Sequence, residues 1–210
     1  MSAAPTKKEQ VYKRIRRAII AGELTPGEIM NEAEIAARFN AGKTPTREAL
    51  LLLTHDRYLE SLPRVGYIVT RPSMQDILET FHLRVILEVE AIGLSVERLT
   101  PESVIELKRN NQQEELVSSL PAHERKERAA LLNREFHLIL ARLSGNTRLA
   151  NLIQTLIDDM ERMLVADPYL ADPSQHQKIL AAVMAGHKIQ AQQAMEQHIK
   201  ETMARIVNRF

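Results

Sequence analysis

Hydrophobic residues recur at helical spacing along the whole chain, but the segments before and after residue 72 differ in length and punctuation. Before residue 72 the apolar stretches are short and are separated by Gly and Pro. After it they are long and contain almost no glycine. The change at Arg71-Pro72-Ser73 predicts two domains, residues 1–71 and residues 72–210.

The pattern in the first domain predicts a winged helix-turn-helix. Three short apolar-periodic segments indicate helices: one ends near Gly22, one is capped by Asn31, and one takes Thr44 as its N-cap, with a proline following it. The alternating segments 58–62 and 67–70 flank a turn with Pro and Gly and predict a β-hairpin.

The pattern in the second domain is helical throughout and predicts an all-α bundle. Apolar positions recur at i, i+3 and i+4, and Gly and Pro lie between the periodic segments. The predicted helices cover roughly 73–98, 101–119, 124–144, 146–166, 174–185 and 188–209. The fold class is therefore mainly α, with one small β-hairpin.

Composition excludes several classes of protein. With 44% apolar and 26% charged residues the chain has a globular composition, and it contains no apolar run of the ~18 residues that span a membrane. Its start has no hydrophobic signal core, so we expect a cytoplasmic protein. The chain has no cysteine, so any metal ligands must come from His, Asp, Glu or Asn.

The charge is distributed unevenly between the two domains. Residues 1–71 carry 12 Lys and Arg against 8 Asp and Glu, a net charge of +4. Residues 72–210 carry 16 against 19, a net charge of −3. This asymmetry favours an anionic polymer as partner of the first domain, and ordinary solvated surface charge is the alternative.

The start of the third helix and the hairpin turn are the predicted DNA-reading surface. In a helix-turn-helix the N-terminal residues of the second helix reach base edges and phosphates. The alternative for Arg47 is an ion pair with a nearby Glu, and for Gly66 a purely structural role in the hairpin. The candidates are Lys43, Thr44, Thr46, Arg47, Arg64 and Gly66.

Three histidines of the second domain lie on apolar faces of three different predicted helices. They are His137, His176 and His198, and Asn133 precedes His137 by one helical turn. A single histidine on an apolar face is usually a core residue. Three that converge with an amide oxygen beside them predict instead a site for a divalent metal ion.

The motifs of both domains resemble known families. The Tyr12 to Glu28 segment, Lys43-Thr-Pro-Thr-Arg-Glu-Ala-Leu50 and Pro63-Arg-Val-Gly-Tyr-Ile-Val69 resemble the GntR family of bacterial transcription regulators. Leu83-Arg-Val-Ile-Leu-Glu88, Asn133-Arg-Glu-Phe-His137 and Gln175-His176 with a later His198 resemble the FadR-type ligand-binding domain, called FCD. The resemblance implies a homodimer that binds double-stranded operator DNA and responds to a small effector.

In metal-binding members an Asp and three His hold the ion, so the resemblance implies the ligands Asn133, His137, His176 and His198. Zinc is the first choice, with nickel and manganese as alternatives. Asn in place of Asp removes one negative charge, so we expect weaker metal binding and stronger attraction of an anionic effector. For a small carboxylate effector we expect contacts from Arg84 and His82, and an Arg84–Glu88 ion pair is the alternative for Arg84.

The sequence gives little support to a metal-dependent enzyme. A metal-dependent enzyme would need a general base or nucleophile near the histidines, and the sequence has no HExxH motif and no phosphate-binding Gly-rich loop. We therefore expect that the protein is not an enzyme. A DNA-binding regulator whose bundle binds an effector without metal is the remaining alternative.

Overall fold

The computed structural model describes residues 5–163 and 173–208. The chain divides into two units, Met1–Pro72 and Ser73–Phe210. We call the first the head and the second the body. Among the described helices, none is long and apolar enough to cross a membrane.

The three helices of the head begin at recognisable caps. A capping box between Thr6 and Glu9 starts the first helix, and Asn31 caps the second through its side chain. The third begins at Lys43 after Gly42, without a side-chain cap, so the predicted N-cap role of Thr44 is wrong: Thr44 lies inside the first turn. The helices are α1 Lys7–Ile20, α2 Glu32–Arg38 and α3 Lys43–His55.

The predicted hairpin is present and forms part of a three-stranded sheet. It consists of β2 Leu59–Leu62 and β3 Gly66–Val69, paired antiparallel. A further strand that the sequence pattern did not indicate, β1 Ile29–Met30, pairs with β3 on its other edge, so the order is β1-β3-β2. The sheet therefore connects the segment before α2 to the β2–β3 hairpin.

The core of the head holds α3 against α1 and the sheet. Apolar side chains from every element of the head are almost fully buried together, which fixes which face of α3 is inside. The buried set includes Ile15, Ile19, Leu24, Ile35, Leu50, Leu53, Leu59 and Val69.

The body is an all-helical bundle, as predicted. Its helices are α4 Met74–Val96, α5 Pro101–Leu116, α6 Ala122–Leu143, α7 Thr147–Met163, α8 Pro173–Met184 and α9 Lys188–Val207, with a 3-10 turn Val117–Ser119 after α5. The ends of the predicted stretches 146–166 and 188–209 fall partly outside the described residues.

The core of the body contains apolar residues from all six helices. A contiguous cluster joins α4, α5, α6, α7, α8 and α9, and among its fully buried members are Ile77, Phe81, Phe136, Ile179 and Ile199. Because α6, α8 and α9 all pack into this cluster, polar residues on their inward faces are brought together inside the bundle.

Candidate functional site

Three buried histidines from three helices meet in the body. His137 comes from α6, His176 from α8 and His198 from α9. The Nε2 atom of His198 lies 3.2 Å from Nε2 of His137 and 3.4 Å from Nε2 of His176. The candidate ligand atoms of the three all lie within 4.8 Å of one another. The structure therefore brings these three predicted ligands together, and we call them the histidine cluster.

The outer nitrogen of each imidazole meets an oxygen atom. The Nδ1 atom of His137 contacts the Glu88 carboxylate of α4 in a short hydrogen bond. The Nδ1 atom of His176 lies 2.8 Å from both Glu114 oxygens, on α5. The Nδ1 atom of His198 lies 2.8 Å from the Gln175 amide oxygen, on α8. These partners orient the rings in the way that outer-sphere groups orient metal-binding histidines.

The contacts assign the hydrogens of the cluster. A carboxylate only accepts hydrogen bonds, so His137 and His176 must carry hydrogen on Nδ1. The amide oxygen that faces His198 also accepts from Nδ1. A neutral imidazole has one ring hydrogen, so in the neutral form of the cluster all three Nε2 atoms direct lone pairs towards one another. A cation between them would remove the resulting repulsion.

Burial favours the neutral form of two of these histidines, His137 and His198. It lowers the pKa of His137, although the Glu88 carboxylate opposes the shift. It lowers the pKa of His198 well below its usual value, with His176 and His137 adding to the effect. Burial alone would raise the pKa of Glu88, but the charge of Arg84 and the hydrogen bonds from His137 and Arg84 outweigh it and lower that pKa to about 2. The charge of Arg84 is the largest of the causes that lower the pKa of Glu88.

The donor set fits a divalent metal ion. Neutral imidazole nitrogens are ligands for zinc and its neighbours in the first transition series. At Zn–N distances of about 2.0–2.1 Å, two ligands of a tetrahedral ion lie roughly 3.3 Å apart, close to the 3.2 and 3.4 Å found here. The fourth predicted ligand, Asn133, is buried on α6, one turn before His137.

Arg84 connects to the cluster through Glu88. Its Nε donates to Glu88 at 2.6 Å, so the predicted alternative of an Arg84–Glu88 ion pair is present. Its Nη1 lies 2.6 Å from the Met160 sulfur, a weak acceptor. Within residues 5–163 and 173–208 the buried Nη2 atom has no hydrogen-bond partner. An unpaired buried guanidinium nitrogen is costly, and an anion would satisfy it.

The structure does not place His82 with the cluster. This side chain is exposed on α4, whereas Arg84 two residues later is buried. His82 lines an open, mostly apolar cleft of about 440 Å³ between α4 and α9, together with Leu78, Phe81 and Met203. Its predicted effector contact is therefore not on the same face of α4 as Arg84.

The start of α3 presents three of the predicted DNA contacts to solvent. Lys43, Thr44 and Arg47 are exposed. Arg47 Nε lies 3.9 Å from Glu32 Oε1, and 70% of the Arg47 side chain is exposed, so this pair holds it only weakly. The prediction for Thr46 is wrong: Thr46 is fully buried because it lies on the inward face of α3 with Ala49.

The last two predicted DNA contacts, Arg64 and Gly66, lie in the β2–β3 hairpin, which we call the wing, and they differ in their surroundings. Arg64 is exposed at the tip of a turn closed by the bond from Val65 N to Leu62 O, with a φ of 65°. Such a φ is uncommon for a side chain other than Gly or Asn. Gly66 has a φ of 143°, and a Cβ added there would lie 2.4 Å from the Met30 carbonyl oxygen. The close approach of β1 therefore explains why a purely structural role, the alternative to a DNA contact, requires glycine at position 66.

Glu114 was not among the predicted site residues. It is buried and holds His176, although it is 62 positions away in the sequence. A signal was available: Asn110, Asn111 and Glu114 share the buried face of α5 with Leu107. Polar residues at the buried positions of a helix indicate that polar groups face them inside the bundle.

Comparisons with known proteins agree with both units. The family described as "Bacterial regulatory proteins, gntR family" matches residues 7–69, and the family described as "FCD domain" matches residues 79–201. A Bacillus subtilis (strain 168) protein described as "Uncharacterized HTH-type transcriptional regulator YdhC" is 30% identical over 149 residues, which are 71% of this chain and 66% of that protein.

A second relative and a solved structure extend the match over most of the chain. The Escherichia coli (strain K12) "HTH-type transcriptional repressor RspR" is 24% identical over 200 residues, 92% of this chain and 86% of that protein. The structure of E. coli McbR/YncC superimposes with a TM-score of 0.80 at 23% identity, covering 98% of this chain and 99% of that one. At this identity the structural match shows the fold alone.

Proposed function

Because this chain belongs to the GntR family of bacterial regulatory proteins, in the group whose GntR head precedes an FCD domain, we propose that it senses a small organic acid at a metal centre in its body. The chain is a DNA-binding transcription regulator of the GntR/FCD type, and its relatives are named as regulators rather than enzymes. The observation that carries the metal proposal is the convergence of ring nitrogens from three buried histidines inside the bundle.

His137, His176 and His198 would hold the ion, with Asn133 as a fourth, uncharged ligand. A divalent ion bound there supplies a positive charge that attracts carboxylate oxygen. The chain's own residues do the rest: Glu88, Glu114 and Gln175 hold the rings in place through Nδ1. Asn133 leaves the ligand set neutral, which favours an anion as the additional ligand.

The unpaired Nη2 of Arg84 supports a carboxylate effector. It is a buried donor that is oriented by Glu88, and it lacks an acceptor among the described residues. A guanidinium nitrogen and a carboxylate oxygen form a strong charge-assisted hydrogen bond. We therefore place the acid between the metal centre and Arg84. His82 lies in the separate α4–α9 cleft, and we give it no contact with the same carboxylate.

For the head, we propose that Lys43, Thr44 and Arg47 reach DNA from the start of α3 and that Arg64 reaches it from the wing. All four are exposed, and three of them are cationic. Two heads in a two-fold homodimer would cover the half-sites of a palindromic operator in the cytoplasm. Exposed apolar side chains on the contacting helices α4 and α7, namely Leu83, Ile86 and Leu152, support an association of bodies.

The effector controls DNA binding only if it prefers one of two arrangements of the dimer. Titrating candidate acids into a complex of protein and operator measures that preference as a shift in DNA affinity. An acid that binds the body and leaves operator affinity unchanged would contradict the regulatory part of the proposal.

The metal proposal is tested by calorimetric titration of chelator-treated protein with zinc chloride. We expect one ion per chain, and a loss of binding in His198→Ala. His187→Ala is the matched control, because His187 is exposed at the N-cap of α9, outside the cluster. Binding that is absent from the natural chain, or lost equally in both variants, would contradict the proposal.

The alternative is a body that binds the acid without metal. The neutral Asn133 favours it, because an amide adds no charge to hold the ion. In that case the acid binds chelator-treated protein with undiminished affinity, and Arg84→Gln abolishes the binding.

A further inference from the structure

Glu201 lies outside the histidine cluster and is joined to it through one amide. One of its carboxylate oxygens accepts a short hydrogen bond from Gln175 Nε2, and the other accepts from Gln197 Nε2. The oxygen of the same Gln175 amide lies 2.8 Å from Nδ1 of His198. Glu201 and His198 are both on α9, whereas Gln175 is on α8. A chain of two hydrogen bonds therefore runs from Glu201 to the cluster.

His198 differs from the other two histidines in the kind of group behind it. Glu88 and Glu114 are carboxylates, which only accept, so each leaves its histidine one choice of tautomer. The Gln175 amide can present either its oxygen or its NH₂ group. If the NH₂ group faced Nδ1, the hydrogen of His198 would move to Nε2. That hydrogen would then point into the cluster, where it blocks the lone pair that a metal needs.

The Glu201 carboxylate removes this choice. It accepts hydrogen bonds and donates none, so it holds the NH₂ end of the Gln175 amide and turns the oxygen towards His198. We infer that Glu201 is a positioning residue, which selects the Nδ1–H tautomer of His198 and so keeps its Nε2 free for a metal ion. The inference rests on the proposed metal centre for its function, whereas the tautomer can be measured without metal.

The test compares Glu201→Gln with the natural chain. This variant keeps the size of the side chain, but its amide can accept or donate, so Gln175 is free to flip. We expect His198 to become a mixture of tautomers and the Kd for zinc to rise by the inverse of the fraction that keeps its hydrogen on Nδ1, about two-fold for an equal mixture. Glu196→Gln is the matched control, because Glu196 is on the same helix and pairs with the exposed Lys200. The control should change neither quantity.

A rescue variant separates positioning from general damage. In Gln175→Glu/Glu201→Gln a carboxylate faces Nδ1 of His198 directly, so the tautomer is again fixed without help from position 201. We expect a single Nδ1–H tautomer and a zinc affinity close to that of the natural chain. A merely structural role of Glu201 would leave this double variant as impaired as the single one.

Two measurements separate the tautomer of His198 from the affinity for the metal. Long-range ¹H–¹⁵N NMR spectra of chelator-treated protein report the tautomer of each histidine, with His137 and His176 as internal standards of an intact bundle. Zinc calorimetry reports the affinity. An unchanged His198 tautomer in Glu201→Gln, or a changed tautomer with an unchanged zinc Kd, overturns the inference. Failure of the natural chain to bind zinc overturns the proposed metal centre instead, and the NMR spectra still decide whether Glu201 sets the tautomer.

Discussion

The Nε2 atoms of His137 and His198 lie 3.2 Å apart in the interior of the body, and neither carries a hydrogen when both Nδ1 atoms donate outwards. Two lone pairs at this distance repel each other. The cluster is therefore a source of instability in the metal-free body and a source of stability when a cation lies between the rings.

Zinc should stabilise the body and chelation should destabilise it. At a free zinc concentration one hundred times the Kd, the gain in the free energy of unfolding is about 2.7 kcal/mol. Differential scanning calorimetry with zinc and with a chelator measures the shift in Tm. His198→Ala should show no zinc-dependent shift. A shift of equal size in that variant would mean that zinc binds elsewhere.

Asn133→Asp should tighten metal binding and weaken the binding of an anion. The substitution adds one negative charge next to His137, which attracts a divalent ion and repels a carboxylate. Zinc and citrate titrations of the two proteins measure both changes, with an expected gain of at least about ten-fold for zinc. Asn151→Asp is the control, because it makes the same charge change at an exposed position of α7. Unchanged affinities for both ligands would refute this account of Asn133.

Gly66→Ala should destabilise the head more than Gly22→Ala. Both glycines have positive φ, but an added Cβ at Gly22 has nothing within 4 Å, whereas at Gly66 it meets the Met30 carbonyl. Backbone strain alone costs about 1 kcal/mol at Gly22, and we expect on the order of 3 kcal/mol at Gly66. Urea unfolding monitored by NMR signals of the head gives both values. Equal losses of unfolding free energy in the two variants would show that β1 shifts to make room for the methyl group.

Arg47→Ala should weaken DNA binding, and Thr46→Val should not. If Arg47 contacts a base, its loss costs about 1–3 kcal/mol of operator affinity. Thr46 Oγ1 is buried without a partner among the described groups, so valine of similar shape should raise stability by about 1 kcal/mol. Gel shifts at matched salt, with an operator selected from random duplexes, compare the two. If Thr46→Val bound the operator more weakly at unchanged stability, Thr46 would have to contact DNA.

Much of the fold could be predicted because long periodic segments determine which face of a helix is buried. The body helices follow the apolar spacing closely, and the three inward histidines could be found from the same spacing. Strand β1 could not, because two residues carry no alternation and are held only by pairing with β3. The place of Thr46 near the start of α3 favours a DNA contact, but Leu50 and Leu53 continue its face of the helix and that face is buried.

Which buried polar residue would contact which histidine could not be predicted, for a different reason. His137 and Glu88 are 49 positions apart, and His176 and Glu114 are 62 apart, so each contact depends on how two helices pack. The local sequence pattern does not determine how two helices that are distant in the sequence align against each other. Glu201 is three residues after His198 but acts through an amide on α8, which only the packing of α8 against α9 brings into place.

The Glu88 carboxylate is shared between Arg84 and His137, each of which takes one of its oxygens. A metal ion that withdraws electron density from His137 makes its Nδ1–H a stronger donor, which draws on the same carboxylate that orients Arg84. Under the proposed function the acid and the metal would therefore be ligands of one linked equilibrium: the factor by which the metal changes the affinity for the acid would equal the factor by which the acid changes the affinity for the metal. If that coupling is favourable, a cell depleted of the metal would need a higher concentration of the acid for the same response, and the regulator would report on both at once.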